Sequence, residues 1–191
     1  MNPPVDGGAR RAPRGLVLLA VACAGVSLAA CDRSSATSSG DATASQNDAA
    51  VPAGLFVDAA PSGARDVIPA KQQAQAGESI VVHGRIGGSR SPFVEGRAIF
   101  TLADMSLPPC SDNPDDACAT PWDYCCEPVD KLMKGTITVQ VADEAGAPLR
   151  VTLESRGGLR PLAEVTVEGR IAQKTGDSAM VLNASRIFVG K

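Results

Sequence analysis

Two stretches of this chain, Ser79-Ile-Val-Val-His-Gly-Arg-Ile86 and Glu164-Val-Thr-Val-Glu-Gly-Arg-Ile171, share the core V-x-G-R-I although they lie far apart in sequence. Both alternate with a period of two. That pattern places Ile80, Val82, Gly84 and Ile86 on one face of the first stretch, and Val165, Val167, Gly169 and Ile171 on one face of the second, as in a strand with one buried side. A glycine late in an apolar strand marks a sharp bend or a bulge, which closing a barrel demands. The same alternation recurs at residues 97–104, with Ala98, Phe100 and Leu102 inward, and at residues 136–143, with Ile137, Val139 and Val141 inward. Asp143-Glu-Ala-Gly146 provides turn chemistry leading to a further strand over residues 149–153, and Thr175-Gly-Asp177 opens a last strand over residues 180–189. Five or six short strands predict an all-β domain, a small barrel or sandwich.

Residues 1–30 have the three-part build of an export signal: basic Arg10, Arg11 and Arg14, then the apolar run Leu16-Val-Leu-Leu-Ala-Val-Ala, then small residues. The run is too short and too rich in Ala and Gly to span a bilayer. It ends Leu28-Ala29-Ala30-Cys31, which resembles the lipobox of bacterial lipoproteins. The resemblance implies cleavage before Cys31 and a diacylglycerol thioether on its sulfur, the only cofactor-like group expected. Several acyl chains anchor durably, at about 0.8 kcal/mol per buried methylene. The partner so implied is a membrane, and the location is the cell envelope, facing the periplasm or exterior.

Residues 31–76 are expected to be a tether. From Asp32 to about residue 60 the chain is Ser, Ala, Thr and Asp with almost nothing to bury, so it cannot recover the entropy of ordering. Leu55-Phe56-Val57 is its one apolar cluster, read as docking weakly onto the domain, and a helical turn is expected over residues 70–76. The folded domain then covers residues 77–191. The chain has 3% aromatic residues, and much of its alanine lies in the first third, so its 44% hydrophobic content overstates the core, which must be small.

The barrel strands, Ile80-Val-Val-His-Gly-Arg-Ile86 with the late pair Val165-Thr-Val-Glu-Gly-Arg-Ile171 and Val181-Leu-Asn-Ala-Ser-Arg-Ile187, resemble those of OB-fold domains, five-stranded Greek-key barrels. The chain departs from that family where a helix should join the third and fourth strands, because residues 154–161 are broken by two glycines and a proline. A six-stranded sandwich is the other architecture. The resemblance implies a ligand face on the strands, with Arg85, Arg97 and Arg170 as candidates. Nucleic acid is excluded as a partner, since the net charge is -3, no basic block occurs, and stacking rings are scarce.

Residues 105–134 interrupt the strands with a segment lacking periodicity, and unstructured loops beyond about 12–15 residues are usually functional. It holds Cys110, Cys118, Cys125 and Cys126, the only tryptophan, Trp122, and the only tyrosine, Tyr124. Four cysteines in an exported domain predict disulfides. A Cys125–Cys126 bridge is disfavoured by the ~3.8 Å spacing of neighbouring Cα atoms. Two pairings remain: Cys110–Cys125 with Cys118–Cys126, or Cys110–Cys126 with Cys118–Cys125. The competing reading is a thiolate site for copper or zinc, with His83 a further ligand, although the paired C-x2-C spacing of zinc knuckles is missing. Asp112, Asp115 and Asp116 offer oxygen ligands without the spacing of a calcium loop. Trp122 and Tyr124 are a candidate contact patch for an envelope protein or small ligand, with Trp122 as a cap on the barrel end the alternative. Thr120-Pro-Trp-Asp-Tyr-Cys-Cys126 also resembles a signature of exported bacterial proteins, a kinship that implies no activity.

Catalytic signatures are missing: C-x-x-C, G-x-S-x-G, H-E-x-x-H and the phosphate loop do not occur. The single His83 falls on a strand. The expected function is a non-catalytic binding module on a lipid anchor. The alternatives are a thiolate metal carrier and an envelope enzyme of another type.

Overall fold

The computed structural model describes residues 50–113, 115 and 118–190. The leader, Cys31 and Asp116 lie outside the described residues. Strands β1 (Arg65–Asp66), β2 (Ser79–Ile86), β3 (Ile99–Ala103), β4 (Thr136–Gln140), β5 (Glu164–Thr175) and β6 (Ala179–Val189) form one sheet in the order β1-β2-β3-β4-β6-β5. A β2–β5 pairing closes the last five into a barrel, and β1 adds a short parallel strand beside β2. All barrel pairings are antiparallel except β4 with β6. The result is the OB-like all-β barrel that the strand patterns predict.

The V-x-G-R-I echo has a structural reason. β2 and β5 pair antiparallel around Val82 opposite Val167, which sets Ile80 against Gly169 and Gly84 against Val165. The two glycines therefore occupy matching places in a local two-fold arrangement. At Gly84 an added Cβ would lie 2.6 Å from the Ala103 carbonyl oxygen, and Gly169 stands at a register shift in the β5–β6 ladder. Bare backbone at both points lets the strands approach and bend. Every inward position predicted on β2, β3, β4 and β5 is buried.

Three expectations need correction. The packed domain begins well before residue 77, so residues 50–76 are not tether: Leu55 is buried, and backbone hydrogen bonds join Leu55 and Val57 to Ile187 of β6. The helical turn is a helix, α1 (Val67–Gln73), and its start lies earlier than expected. Pro69 is tolerated there because it falls in the first turn, where amide donors have no intrahelical partner. Finally, residues 149–153 are not a strand. Their alternation does report burial of Val151 and Leu153, but regular pairing stops at an Ala142–Pro148 bridge and single bonds to Val141 and Ala98. The family's helix between the third and fourth barrel strands is reduced to a 3-10 turn, Arg156–Gly158, as the glycines there dictate.

Candidate functional site: a three-sulfur cluster on the insertion

The insertion between β3 and β4 has a fixed neck. Asp104, only 3% exposed, accepts hydrogen bonds through Oδ2 from the Ile68 amide (2.7 Å) and through Oδ1 from the Ser106 amide and hydroxyl (2.9 and 2.6 Å). Lys71, 1% exposed, donates from Nζ to the carbonyls of Met133 (2.5 Å), Thr136 (2.7 Å) and Ser178 (3.2 Å). α1 thereby ties together both ends of the insertion and the β5–β6 turn. Part of the segment read as irregular is a second helix, α2 (Val129–Gly135), with Asp130 in its first turn and Lys134 in its last, where the helix dipole favours each charge. Sequence reading missed Asp104, Lys71 and α2.

The cysteine-bearing part is built from two consecutive tight turns. The Asp123 amide bonds to the Thr120 carbonyl (2.9 Å), with Pro121 and Trp122 at the bend. Proline is favoured at that first central position. The Glu127 amide then bonds to the Tyr124 carbonyl (2.9 Å), which puts Cys125 and Cys126 at the tip of the second turn, both exposed. Cys110 is drawn alongside by backbone bonds from Cys110 to Asp123 (2.8 Å) and from Ser111 to Pro121 (2.9 Å). The Arg85 guanidinium fastens this 3-10 turn (Cys110–Asp112) to the barrel, lying 3.5 Å from Asp112 and 3.6 Å from Glu164.

Three sulfurs converge as a result. Cys110 Sγ is 3.5 Å and Cys118 Sγ is 4.0 Å from Cys125 Sγ, and all three lie within 4.8 Å of one another. Disulfide bonds of about 2.05 Å are not formed among the described residues, where the expectation named Cys110, Cys118, Cys125 and Cys126. Cys125 thus lies beside two sulfurs at once, those of Cys110 and Cys118. Hydrogen bonding to the Thr120 hydroxyl, 3.5 Å away, and then to its backbone pulls the Cys118 thiol below its ordinary value. For Cys125 the largest single influence, contact with Cys110, favours the thiolate, yet the combined effects of Cys118, desolvation and Cys126 raise it. Cys118 is the readier of these two to ionise.

The remaining candidates scatter. Tyr124 is not a surface anchor: it is 1% exposed, packs with Ala103 and Leu107, and its ring is why residue 87 is glycine, since a Cβ there would meet Tyr124 Cε2 at 2.8 Å. Its buried hydroxyl has no hydrogen-bond partner among the described residues, and burial pushes its pKa up while Arg85 pulls the other way. Trp122 is half-buried and donates from Nε1 to the Arg90 carbonyl (3.0 Å). It forms one wall of a cleft of about 430 Å³ shared with Arg90, Pro92, Phe93, Glu95 and Glu154. Arg85, Arg97 and Arg170 do not make one face. Arg170 pairs with Ser79 at the far end of β2 from Arg85, about 20 Å away at ~3.3 Å per residue, and Arg97 lies exposed on the β2–β3 connection. His83 Nδ1 is 3.1 Å from Asp66, outside the sulfur cluster.

No family model, curated protein or solved structure matches the chain. Among the described residues no helix is long and apolar enough to cross a membrane.

Proposed function

We propose that the chain is a lipid-anchored cell-envelope protein whose OB-like barrel presents a thiolate site for a soft metal ion. The convergence of Cys110, Cys118 and Cys125 carries the metal reading. Tetrahedral zinc–thiolate bonds of about 2.3 Å put their sulfurs about 3.8 Å apart, and the observed 3.5 and 4.0 Å bracket that spacing, well beyond a disulfide. The exposed turn leaves the ion accessible from outside, as suits a carrier. The lipobox ending at Cys31 carries the anchor, and the same leader supports a place outside the cytoplasm.

Metal analysis and intact mass after alkylation test the reading on the full chain extracted from envelopes. The expected result is about one metal per chain, with Cys110, Cys118 and Cys125 alkylating only once the metal is chelated. A metal-free protein whose loop thiols alkylate only after reduction would overturn it in favour of disulfides. Membrane partitioning of a Cys31→Ser variant that matches wild type would remove the anchor.

The Trp122 cleft supports a second reading, a non-catalytic module for a small ligand or envelope partner. Because Trp122 is the only tryptophan, a ligand entering the cleft must change the intrinsic fluorescence. A flat titration across candidate envelope ligands removes this reading.

A further inference from the structure

Resting on the metal reading above, we infer that the ion is cuprous copper, held three-coordinate by Cys110, Cys118 and Cys125, with Cys126 outside the coordination sphere. The first argument is the donor set. Among the described residues, the group contains three sulfurs and neither an imidazole nor a carboxylate. His83 is engaged with Asp66, Asp112 faces Arg85, and Asp123 Oδ1 accepts from the Tyr124 amide (2.8 Å). Structural zinc closes a shell of four ligands, and catalytic zinc sites recruit His or carboxylate. Monovalent copper, a closed-shell soft ion, is selected by thiolates and is satisfied by three of them.

The second argument is the shape of the triangle. With sides of 3.5 and 4.0 Å and a third no longer than 4.8 Å, its centre lies at most about 2.4 Å from each sulfur, close to the ~2.3 Å length of a soft-metal–thiolate bond. An ion in the plane of the sulfurs therefore bonds all three with little movement of the loop. Cys126 occupies the other tip position of the Tyr124–Glu127 turn, touches Cys125, and is not part of the convergent group. The neck fixed by Lys71 and Asp104 and the backbone bonds of Cys110 and Ser111 hold the donors in place before the ion arrives.

The test uses the full chain in detergent, reduced and kept anaerobic. It is titrated with Cu(I) against bathocuproine disulfonate and with Zn(II) against a chromophoric zinc chelator, and copper K-edge absorption is recorded on the loaded protein. Expected are one Cu(I) per chain, three sulfur ligands, and tighter retention of Cu(I) than of Zn(II). Cys110→Ser, Cys118→Ser and Cys125→Ser each weaken Cu(I) binding about tenfold or more, while Cys126→Ser changes it less than about threefold. Trp122 fluorescence of each variant checks that the loop remains folded. Preferential binding of Zn(II), or a fourth sulfur lost with Cys126→Ser, overturns the three-coordinate copper assignment and leaves the metal site standing. Failure of the reduced, folded chain to bind either ion overturns both.

Discussion

Replacing Lys71 by methionine tests whether α1 holds the insertion. Methionine matches lysine in length and keeps the apolar stem, so the change isolates the ammonium. Three carbonyls, of Met133, Thr136 and Ser178, lose their shared donor. A buried acceptor left unsatisfied costs about 1–3 kcal/mol, and part of that is offset because a desolvated charge no longer has to be held in the fold. The net expectation is a loss of about 3 kcal/mol, a large share of the ~5–15 kcal/mol available to a natural domain. For a domain of this size that lowers the melting temperature by about 10 °C. Urea unfolding followed by Trp122 fluorescence measures it directly, since the reporter lies in the insertion itself.

A second readout separates the charge from simple packing. Burial, the largest influence, lowers the Lys71 pKa from 10.5, with Asp177 opposing and Lys174 adding to the shift. The unfolded chain therefore binds more protons between the depressed folded value and 10.5, so this group makes stability rise with pH across that window. Lys71→Met removes that slope. A variant within about 1 kcal/mol of wild type, with the pH slope intact, would refute the view that Lys71 locks the neck.

Three further outcomes follow from the same packing. Tyr124→Phe deletes a buried hydroxyl that has no hydrogen-bond partner among the described residues, so stability should hold or rise by up to about 1 kcal/mol in urea melts, and a loss beyond about 1 kcal/mol contradicts the assignment. Because the Tyr124 pKa is raised above 10, chiefly by burial, its contribution is present below pH 10 and is lost as pH rises through the folded value, a decline that Tyr124→Phe abolishes in alkaline titration. Gly87→Ala drives a methyl group into Tyr124 and the Trp122 carbonyl, costing about 1–3 kcal/mol and weakening metal binding in the same protein, whereas an unchanged urea midpoint contradicts the contact. Asp104→Ala strips acceptors from Ile68 and Ser106 and should destabilise by about 2 kcal/mol, with faster amide exchange at Ile68 as its signature.

The barrel was legible because each strand has one buried face, and burial imposes a period of two that the sequence must carry. Gly84 and Gly169 were legible for the same reason: they interrupt that face where backbone approaches backbone. Of the helices, α1 was legible only as a helical turn and α2 was not legible. Each is seven residues long and makes no side-chain cap hydrogen bond, although Asp66 stands at the N-cap of α1. One signal was present at α1: Val67, Ala70, Lys71 and Ala74 follow the i, i+3, i+4, i+7 spacing of a buried helical face, and all four are buried. The lysine in that stripe disguised it. The apolar alternation at residues 149–153 shows the converse error, in which burial was read as pairing although the segment makes only a bridge and single bonds at its start.

The cysteine-rich segment was legible as an ordered loop but not as a triad, because its geometry depends on bonds that composition does not announce. Spacing in the sequence puts Cys125 and Cys126 together and leaves Cys110 and Cys118 as equivalent remote partners. The turns break that equivalence. Closing Tyr124 to Glu127 points the two adjacent cysteines outward at a tip, and the ladder from Cys110 to Asp123 brings a buried sulfur within 3.5 Å of Cys125. Adjacent cysteines thus acquire different surroundings, Cys125 within reach of two sulfurs and Cys126 at the margin. A barrel with a rigid neck and a short double turn at its head is what makes that distinction structural, since a freely moving loop would let all four thiols pair by proximity alone. The behaviour of Cys126→Ser against Cys125→Ser is consequently the sharpest single comparison available on this protein, because neighbours one residue apart differ only through the fold that holds them.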